Sequence, residues 1–229
     1  MYTLNFQIDK RKIFLSLLSF ELLLTAVYLI DHFFWSFKID AFDLDLEGTF
    51  ASWFSSVQLM TVSVICLLIH QRKRALANPG YSKPLFLIAC LIFMFLSVDE
   101  SIQIHEKLNW KLLRYADLLP SFKNNHGAWM LPYATIFFGV LFYLRHSIFD
   151  VWKTHKTGFL TALIGIALFL TGAVLLEIIS YEYFRDNAHL NAFAIEVACE
   201  EFLEMFGITV VLSGLVLIHQ DTESSFRAT

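Results

Sequence analysis

The chain has 229 residues, 57% of them hydrophobic and 17% charged, with a formal net charge of -4 and a mean hydropathy of +0.58. A soluble domain of this length cannot bury so much apolar surface, so the composition excludes an ordinary water-soluble fold and predicts a multi-pass membrane protein. The slightly acidic balance gives no support for a nucleic-acid partner. Membrane lipid is therefore the expected environment.

Hydropathy predicts an all-α fold with one domain over residues 1–229, a bundle of six transmembrane helices. Most of the 17 lysines and arginines fall on the same side as the N-terminus. The positive-inside rule therefore predicts that both termini face the cytoplasm. The predicted spans are residues 13–35, 50–70, 85–104, 128–144, 158–183 and 193–218.

The first predicted span carries one acid, Glu21, midway along its length. An ionisable group at that depth costs several kcal/mol unless it is paired, so such residues are candidates for function. Two roles are open for Glu21. It hydrogen-bonds a neighbouring hydroxyl such as that of Ser19 or Thr25, or it is a step in a cation path.

The third predicted span ends in acids. Its apolar run, residues 85–98, supplies only about 21 Å of helix against a bilayer core of about 30 Å, so a full span continues through Asp99 and Glu100. In a continuous helix Asp99 and Glu106 share one face, with Glu100 and His105 flanking it. The alternative is an ordinary helix end with a salt bridge to a following lysine.

Beyond the third span, apolar residues recur at steps of three and four from Ile104 to Leu119, while Lys107, Lys111 and Arg114 lie off that stripe. This spacing is typical of an amphipathic helix. It predicts an interfacial helix after the third span, or a continuation of that span beyond the membrane.

The last two spans carry acids at the same outer level. Glu177 follows a long apolar run in the fifth span, and Glu200, Glu201 and Glu204 enter the sixth. Helical geometry places Glu200 and Glu204 on one stripe, with Glu201 about 60° from Glu204. The alternatives are a hydrogen bond from Tyr181 to Glu177 and a hydrated stripe of acids at the membrane interface.

Carboxylates gathered in a low dielectric repel one another unless they share protons or bind a cation. No lysine or arginine is expected at matching depth, and His105 supplies the imidazole that Zn, Mn and Fe sites commonly use. The sequence therefore predicts a site for a divalent metal ion (Fe, Mn or Zn), mononuclear or dinuclear. The candidate ligands are Asp99, Glu100, His105, Glu106, Glu177, Glu200, Glu201 and Glu204, and Glu100 and Glu201 are also the candidate catalytic bases.

Three motifs are similar to those of other proteins: Glu47-Gly48-x4-Trp53-Phe54-Ser55-Ser56, Leu96-Ser97-Val98-Asp99-Glu100 with His105-Glu106, and Glu200-Glu201-x2-Glu204-Met205-x-Gly207. Together they resemble a group of uncharacterised bacterial six-helix integral membrane proteins. The resemblance implies that Glu47 and Ser55 or Ser56 are neighbours of the site. The chain also bears a faint likeness to the ceramidase-like membrane hydrolases, which combine a Ser, an Asp and three His around zinc; it lacks their HxxxH helix and has one helix fewer.

The leading hypothesis is an enzyme of the bacterial inner membrane whose metal site faces the periplasm. Its substrate would be a lipid or another hydrophobic small molecule, and its reaction a hydrolysis or a di-metal oxidation. A second hypothesis is a transporter or channel that uses the acids as a cation or proton site. A third is an accessory subunit of a membrane complex, and the oligomeric state stays open.

Overall fold

Six helices of the computed structural model are long and apolar enough to cross a membrane, and the predicted all-α bundle is confirmed. The structure describes residues 9–35, 39–46, 48–75, 84–115, 127–185 and 191–227, and these residues contain no β-strand. The helices are α1 (Lys10–Trp35), α2 (Phe50–Ala75), α3 (Leu85–Ile102), the short α4 (Ile104–Leu112), α5 (Met130–Thr154), α6 (Lys156–Phe184) and α7 (Asn191–Arg227).

Helix α7 lies at the centre of the bundle. It packs along α6, α2 and α1, and α2 packs in turn along α3. The side chains of Met205, Ile208 and Thr209 on α7 are almost completely buried. Helix α5 is peripheral, because its packing against α3 and α6 is sparse and it exposes large apolar side chains such as Ile136 and Phe138. In a membrane these side chains face lipid.

Glycines set the close packing of α6 against α7. Gly158, Gly165 and Gly172 on α6 and Gly207 and Gly214 on α7 recur at intervals of seven residues. A methyl group on Gly165 would lie 2.5 Å from the backbone nitrogen of Val211 and 2.7 Å from the carbonyl oxygen of Gly207. Small residues with this spacing let two helix backbones touch along a shared seam, as in membrane helix pairs.

The third span ends earlier than residue 104, and the reason is local. Gln103 adopts the left-handed conformation (φ 57°), and its amide donates to the Asp99 carbonyl oxygen. The expectation that Asp99 and Glu106 share one helical face was therefore wrong, because the helical register does not continue past Gln103. The interfacial segment forms as a separate helix, α4, followed by a 3-10 turn at Leu113–Tyr115; residues 116–119 of the predicted stripe lie outside the described residues.

The prediction also ended the fourth span too early. Helix α5 continues beyond residue 144 to Thr154, although Arg145 resembles a loop residue by charge. The guanidinium of Arg145 lies 4.3 Å from the centre of the Phe142 ring and donates to the Phe142 carbonyl oxygen. Long basic side chains can lie along their own helix in this way, so a charge near a membrane surface does not end a helix.

The two ends of the bundle differ in charge. The acidic end carries Asp99, Glu100, Glu177, Glu200, Glu201 and Glu204. The basic end carries Arg72, Lys73, His155, Asp221 and Glu223. There Arg72 pairs with Glu223 at 3.2 Å, and His155, between α5 and α6, lies 3.2 Å from the Lys73 ammonium and 3.5 Å from an Asp221 oxygen. The basic end thus ties α2 to α7 and to the α5–α6 junction.

A pH dependence of stability follows from His155. Burial lowers its pKa, and Lys73 lowers it further, which outweighs the opposing effect of Asp221. The unfolded chain, with an ordinary histidine pKa of about 6.5, then binds more protons than the folded protein as the pH falls through this range. We expect the Tm in detergent to fall between pH 7.5 and pH 5.5, and His155→Gln to reduce that fall by about 1–3 °C. An unchanged fall in this variant would contradict the assignment.

Candidate functional site

Asp99 fixes the position of His105 at the acidic end. Asp99 is 5% exposed, and both of its carboxylate oxygens are engaged. Oδ1 accepts from the His105 amide at 2.8 Å and lies 3.2 Å from Nδ1 of the His105 ring, whereas Oδ2 accepts from the Tyr133 hydroxyl at 2.9 Å. The carboxylate therefore orients the imidazole and already accepts a hydrogen bond on each of its oxygens, while its role as a metal ligand stays a prediction.

The Asp99 carboxylate also explains why α3 can end and α4 can begin within two residues. A new helix begins with amides that have no acceptor within the helix. The Asp99 side chain accepts from one of these amides, that of His105, while the Lys107 ammonium donates to the Ile102 carbonyl oxygen at the end of α3. Lys107 thus caps a helix end, which differs from the predicted salt bridge to an acid.

Aromatic side chains at the beginning of α5 and just before it border His105. Its ring centre lies 5.2 Å from that of Trp129, which in turn lies 5.1 Å edge-on from Tyr133. Trp129 also hydrogen-bonds the Glu177 carboxylate. The Ala128 amide donates to the Asn109 side chain at 3.0 Å, which anchors α4 to the beginning of α5. Trp129 and Tyr133 therefore connect α3, α4 and α6 at this level.

Glutamates from three helices come within electrostatic range of one another. The Glu204 carboxylate on α7 is repelled by those of Glu201, Glu100, Glu200 and Glu177. Glu177 on α6 also interacts with His105 and, unfavourably, with Glu106. Acids from α3, α6 and α7 thus lie within electrostatic range of one another, and their meeting in one cluster stays a prediction.

Gly172 brings α6 close to these glutamates. A methyl group on Gly172 would lie 2.7 Å from the Cγ of Glu204 and 2.7 Å from the Glu200 carbonyl oxygen. Gly172 belongs to a π-helical turn, Thr171–Leu176, and a second π-helical turn covers Ser180–Phe184. Such turns occur often at functional sites because they displace side chains from the regular helical register. Here they flank Glu177.

The predicted ligands do not form a coordination shell in this conformation. Among the residues that the structure describes, no group of three or more His, Cys, Asp or Glu side chains is arranged to hold a metal ion. Glu106 is exposed on α4, whereas Glu100, Glu200, Glu201 and Glu204 are half-buried. The acids are near enough to repel one another without converging on a common point.

Comparison with known proteins gives a family. A family model described as Domain of unknown function (DUF8692) matches residues 16–218. The chain belongs to the DUF8692 family. No curated protein and no solved structure matches it. The DUF8692 match covers α2 to α6 completely and most of α1 and α7, and it contains every residue of the acidic end described above.

One residue of this DUF8692 chain at the acidic end was missed from sequence. Arg185, beyond the end of α6, lies 3.6 Å from Asp45 and stacks over the Tyr181 ring at 4.5 Å. Desolvation opposes its charge, but Tyr181, Asp45, Glu200 and Glu177 raise the pKa of Arg185 overall. The expectation that no arginine lies near the acids was therefore wrong, because the chain places this loop residue beside them.

The surroundings also make Asp45, the acid that pairs with Arg185, harder to ionise. Desolvation raises the pKa of Asp45, and Asp43 raises it further, while Arg185 only partly opposes this increase. Arg185 is thus shared between Asp45 and the glutamates of α6 and α7. A single arginine shared in this way cannot neutralise the whole set of acids.

The bacterial resemblance implied that Glu47 and Ser55 or Ser56 are neighbours of the site. Of these residues of the DUF8692 chain, the structure describes the two serines. Ser56 donates to the Ser97 carbonyl oxygen at 2.8 Å, and Ser97 donates back to the Ser56 carbonyl oxygen at 2.8 Å. These bonds join α2 to α3, which is a packing role. Ser55 is buried on α2 without a hydrogen-bond partner for its hydroxyl in the described part of the chain. Glu47 lies outside the described residues.

The hydrogen-bond partners of Glu21 also differ from those expected from the sequence. It does not bond the hydroxyls of Ser19 or Thr25, which donate instead to backbone carbonyl oxygens of α1. Its carboxylate accepts from Gln58 on α2 and Thr209 on α7. The expected local hydroxyl partner was therefore wrong, because the long-range partners come from helix packing.

Proposed function

We propose that this protein is a metal-dependent membrane enzyme whose active site lies at the acidic end, between α3, α6 and α7. The observation that carries the proposal is that Glu100, Glu177, Glu200 and Glu201, from these three helices, lie within electrostatic range of Glu204. Anions at membrane depth cost several kcal/mol each unless they are neutralised. A divalent cation drawn in among them would remove that cost.

Arg185 and His105 lie within electrostatic range of Glu177 and interact favourably with it, and a divalent cation would add positive charge among the acids. Glutamate side chains have three rotatable bonds, so the carboxylates of Glu200, Glu201 and Glu204 can turn toward a common ion without movement of the helices. Glu100, Glu177 and His105 are the further candidate ligands. Asp99 serves as the group that orients the imidazole.

The chemistry follows from these roles. A bound ion would activate a water molecule or, as an iron pair, molecular oxygen. Glu100 or Glu201, whichever does not bind the ion, accepts the proton released at the reacting centre. Glu106 is exposed on α4 and contributes negative charge beside the proposed site.

A hydrophobic substrate fits the surroundings of the proposed site. Phe95, Val98 and Ile102 on α3 are between 40% and 50% exposed at the same level of the bundle, where they meet lipid. The α5 helix packs sparsely against α3 and α6, so a lipid tail can approach from the bilayer between them. The positive-inside pattern supports a periplasmic orientation in a bacterial inner membrane.

The packing below the glutamates favours an enzyme over a transporter. Buried apolar side chains from α2, α3 and α7 form one cluster toward the basic end, including Leu59, Val62, Phe86, Val211 and Leu215. A conduit for cations needs polar groups along its length. The described residues of this cluster are apolar instead and would block a path for cations.

Elemental analysis of detergent-purified protein tests the proposal. We expect Fe, Mn or Zn at about one or two equivalents per chain, and at least a roughly tenfold loss in His105→Ala and Glu201→Ala. Glu182→Gln is the matched control, since Glu182 is also half-buried on α6 and should retain the metal.

Metal-free protein that takes up none of these ions would overturn the proposal. If its acids then titrated near neutral pH, the transporter hypothesis would gain support. A tightly bound second polypeptide in the purified sample would instead favour the accessory subunit.

A further inference from the structure

Glu21 lies at the junction of α1, α2 and α7, with none of its surface exposed. Two donors converge on one of its oxygens. Thr209 donates to Oε1 at 2.6 Å and Nε2 of Gln58 donates to the same atom at 2.9 Å, and Gln58 also donates to the Thr209 hydroxyl at 2.8 Å. Three helices thus meet in one buried polar group.

Two oxygens of this group have no partner. Oε2 of Glu21 and Oε1 of Gln58 are buried and accept no hydrogen bond from the described residues. Both atoms are acceptors when the carboxyl group is ionised, so neither can satisfy the other, and each unsatisfied buried acceptor is costly. Two unsatisfied acceptors in contacting residues need a donor.

No basic side chain in the described part of the chain supplies that donor. Glu21 forms no ion pair among the described residues. The nearest ionisable residues along the three packed helices are Tyr28 on α1, Cys66 on α2 and Glu204 on α7, which are respectively seven, eight and five residues away from Glu21, Gln58 and Thr209. Each is more than one helical turn away.

A carboxylic acid and a primary amide can form a cyclic pair with two hydrogen bonds. The amide N–H donates to one acid oxygen, and the acid O–H donates to the amide oxygen. The bond from Nε2 of Gln58 to Oε1 of Glu21 is the first of these. The two unsatisfied oxygens are the two ends of the second, and one proton on Oε2 satisfies both.

We propose that Glu21 is a proton-binding site, a neutral carboxylic acid that donates from Oε2 to Oε1 of Gln58 and joins α1 to α2 and α7. This proton is separate from the proposed metal site, because among the described residues Glu21 has its side-chain hydrogen bonds with Gln58 and Thr209 and none with the glutamates of the acidic end. Its ligand is a proton held in the membrane interior, and its role is to dock α1 against the rest of the bundle.

Infrared difference spectroscopy tests the proton directly. The spectrum of the wild-type protein minus that of Glu21→Gln at pH 7 is expected to contain one carboxylic-acid C=O band, at higher frequency than the amide I band. The subtraction removes the bands of the other acids. Absence of that band would overturn the proposal, since Glu21 would then be ionised or bound to a metal cation.

Thermal stability in detergent tests the pairing with Gln58. In Glu21→Gln an amide N–H replaces the acid O–H, so we expect a Tm within about 2 °C of wild type. Glu21→Ala removes the acceptor of the Thr209 hydroxyl and of one Gln58 N–H and should lose about 5 °C or more. A Glu21→Gln variant that is as unstable as Glu21→Ala would overturn the proposal even if the infrared band were present.

Discussion

Replacement of Gly165 by leucine is expected to separate α6 from α7 and to destabilise the whole bundle. The new side chain would overlap the Val211 nitrogen and the Gly207 carbonyl oxygen, which lie 2.5 Å and 2.7 Å from the position of its first carbon. Backbone atoms cannot move aside as a side-chain tip can. We expect a cost of about 3 kcal/mol or more, seen as a fall in Tm of roughly 6–12 °C in detergent.

Gly139→Leu on α5 is the matched control. A methyl group at Gly139 would have no atom within 4 Å, and the peripheral position of α5 leaves room for a larger side chain toward lipid. This variant should keep the wild-type Tm within about 2 °C. Equal losses in both variants would show that leucine destabilises through the helix backbone alone and would contradict the role of the glycine seam.

The Asp99→Asn variant is expected to weaken metal binding by about 10–100-fold. Asp99 accepts from the amide and ring of His105 and from Tyr133. An asparagine amide presents donors where one of these donors now points, so the imidazole loses its fixed orientation. The prediction rests on the proposed metal site, and titration of metal-depleted protein with the ion found in the purified sample measures it.

Tyr133→Phe provides a graded control for this effect. It removes only the hydrogen bond to Oδ2 and leaves both contacts between Asp99 and His105 intact. We expect a loss of affinity of about fivefold, smaller than that of Asp99→Asn, because this hydrogen bond reaches the imidazole only through Asp99. Wild-type affinity in Asp99→Asn would exclude the orienting role of Asp99.

The number of spans could be predicted from sequence because apolar runs of membrane length are a strong signal. Helix ends were predicted less well. The break at Gln103 involves neither Gly nor Pro, and it depends on the Asp99 side chain accepting from the next helix. The continuation of α5 beyond Arg145 depends on a contact with Phe142. Both helix ends thus depend on side-chain contacts in the folded protein, which hydropathy does not reveal.

The acids of the candidate site were visible in the sequence, but their partners were not. Tyr133 and Trp129 reach Asp99, His105 and Glu177 from another helix, and Arg185 comes from beyond a helix end. Thr209 is 188 residues from its partner Glu21. The glycine seam was the one missed signal that the sequence did contain, as repeats of seven residues in the last two spans.

Anomalous X-ray scattering at the absorption edge of the metal found in purified protein would locate the ion. We expect a peak at the acidic end between α3, α6 and α7, about 2.0–2.2 Å from carboxylate oxygens of at least two of Glu200, Glu201 and Glu204. A map without such a peak, in which these side chains point separately into lipid or solvent, would contradict the account.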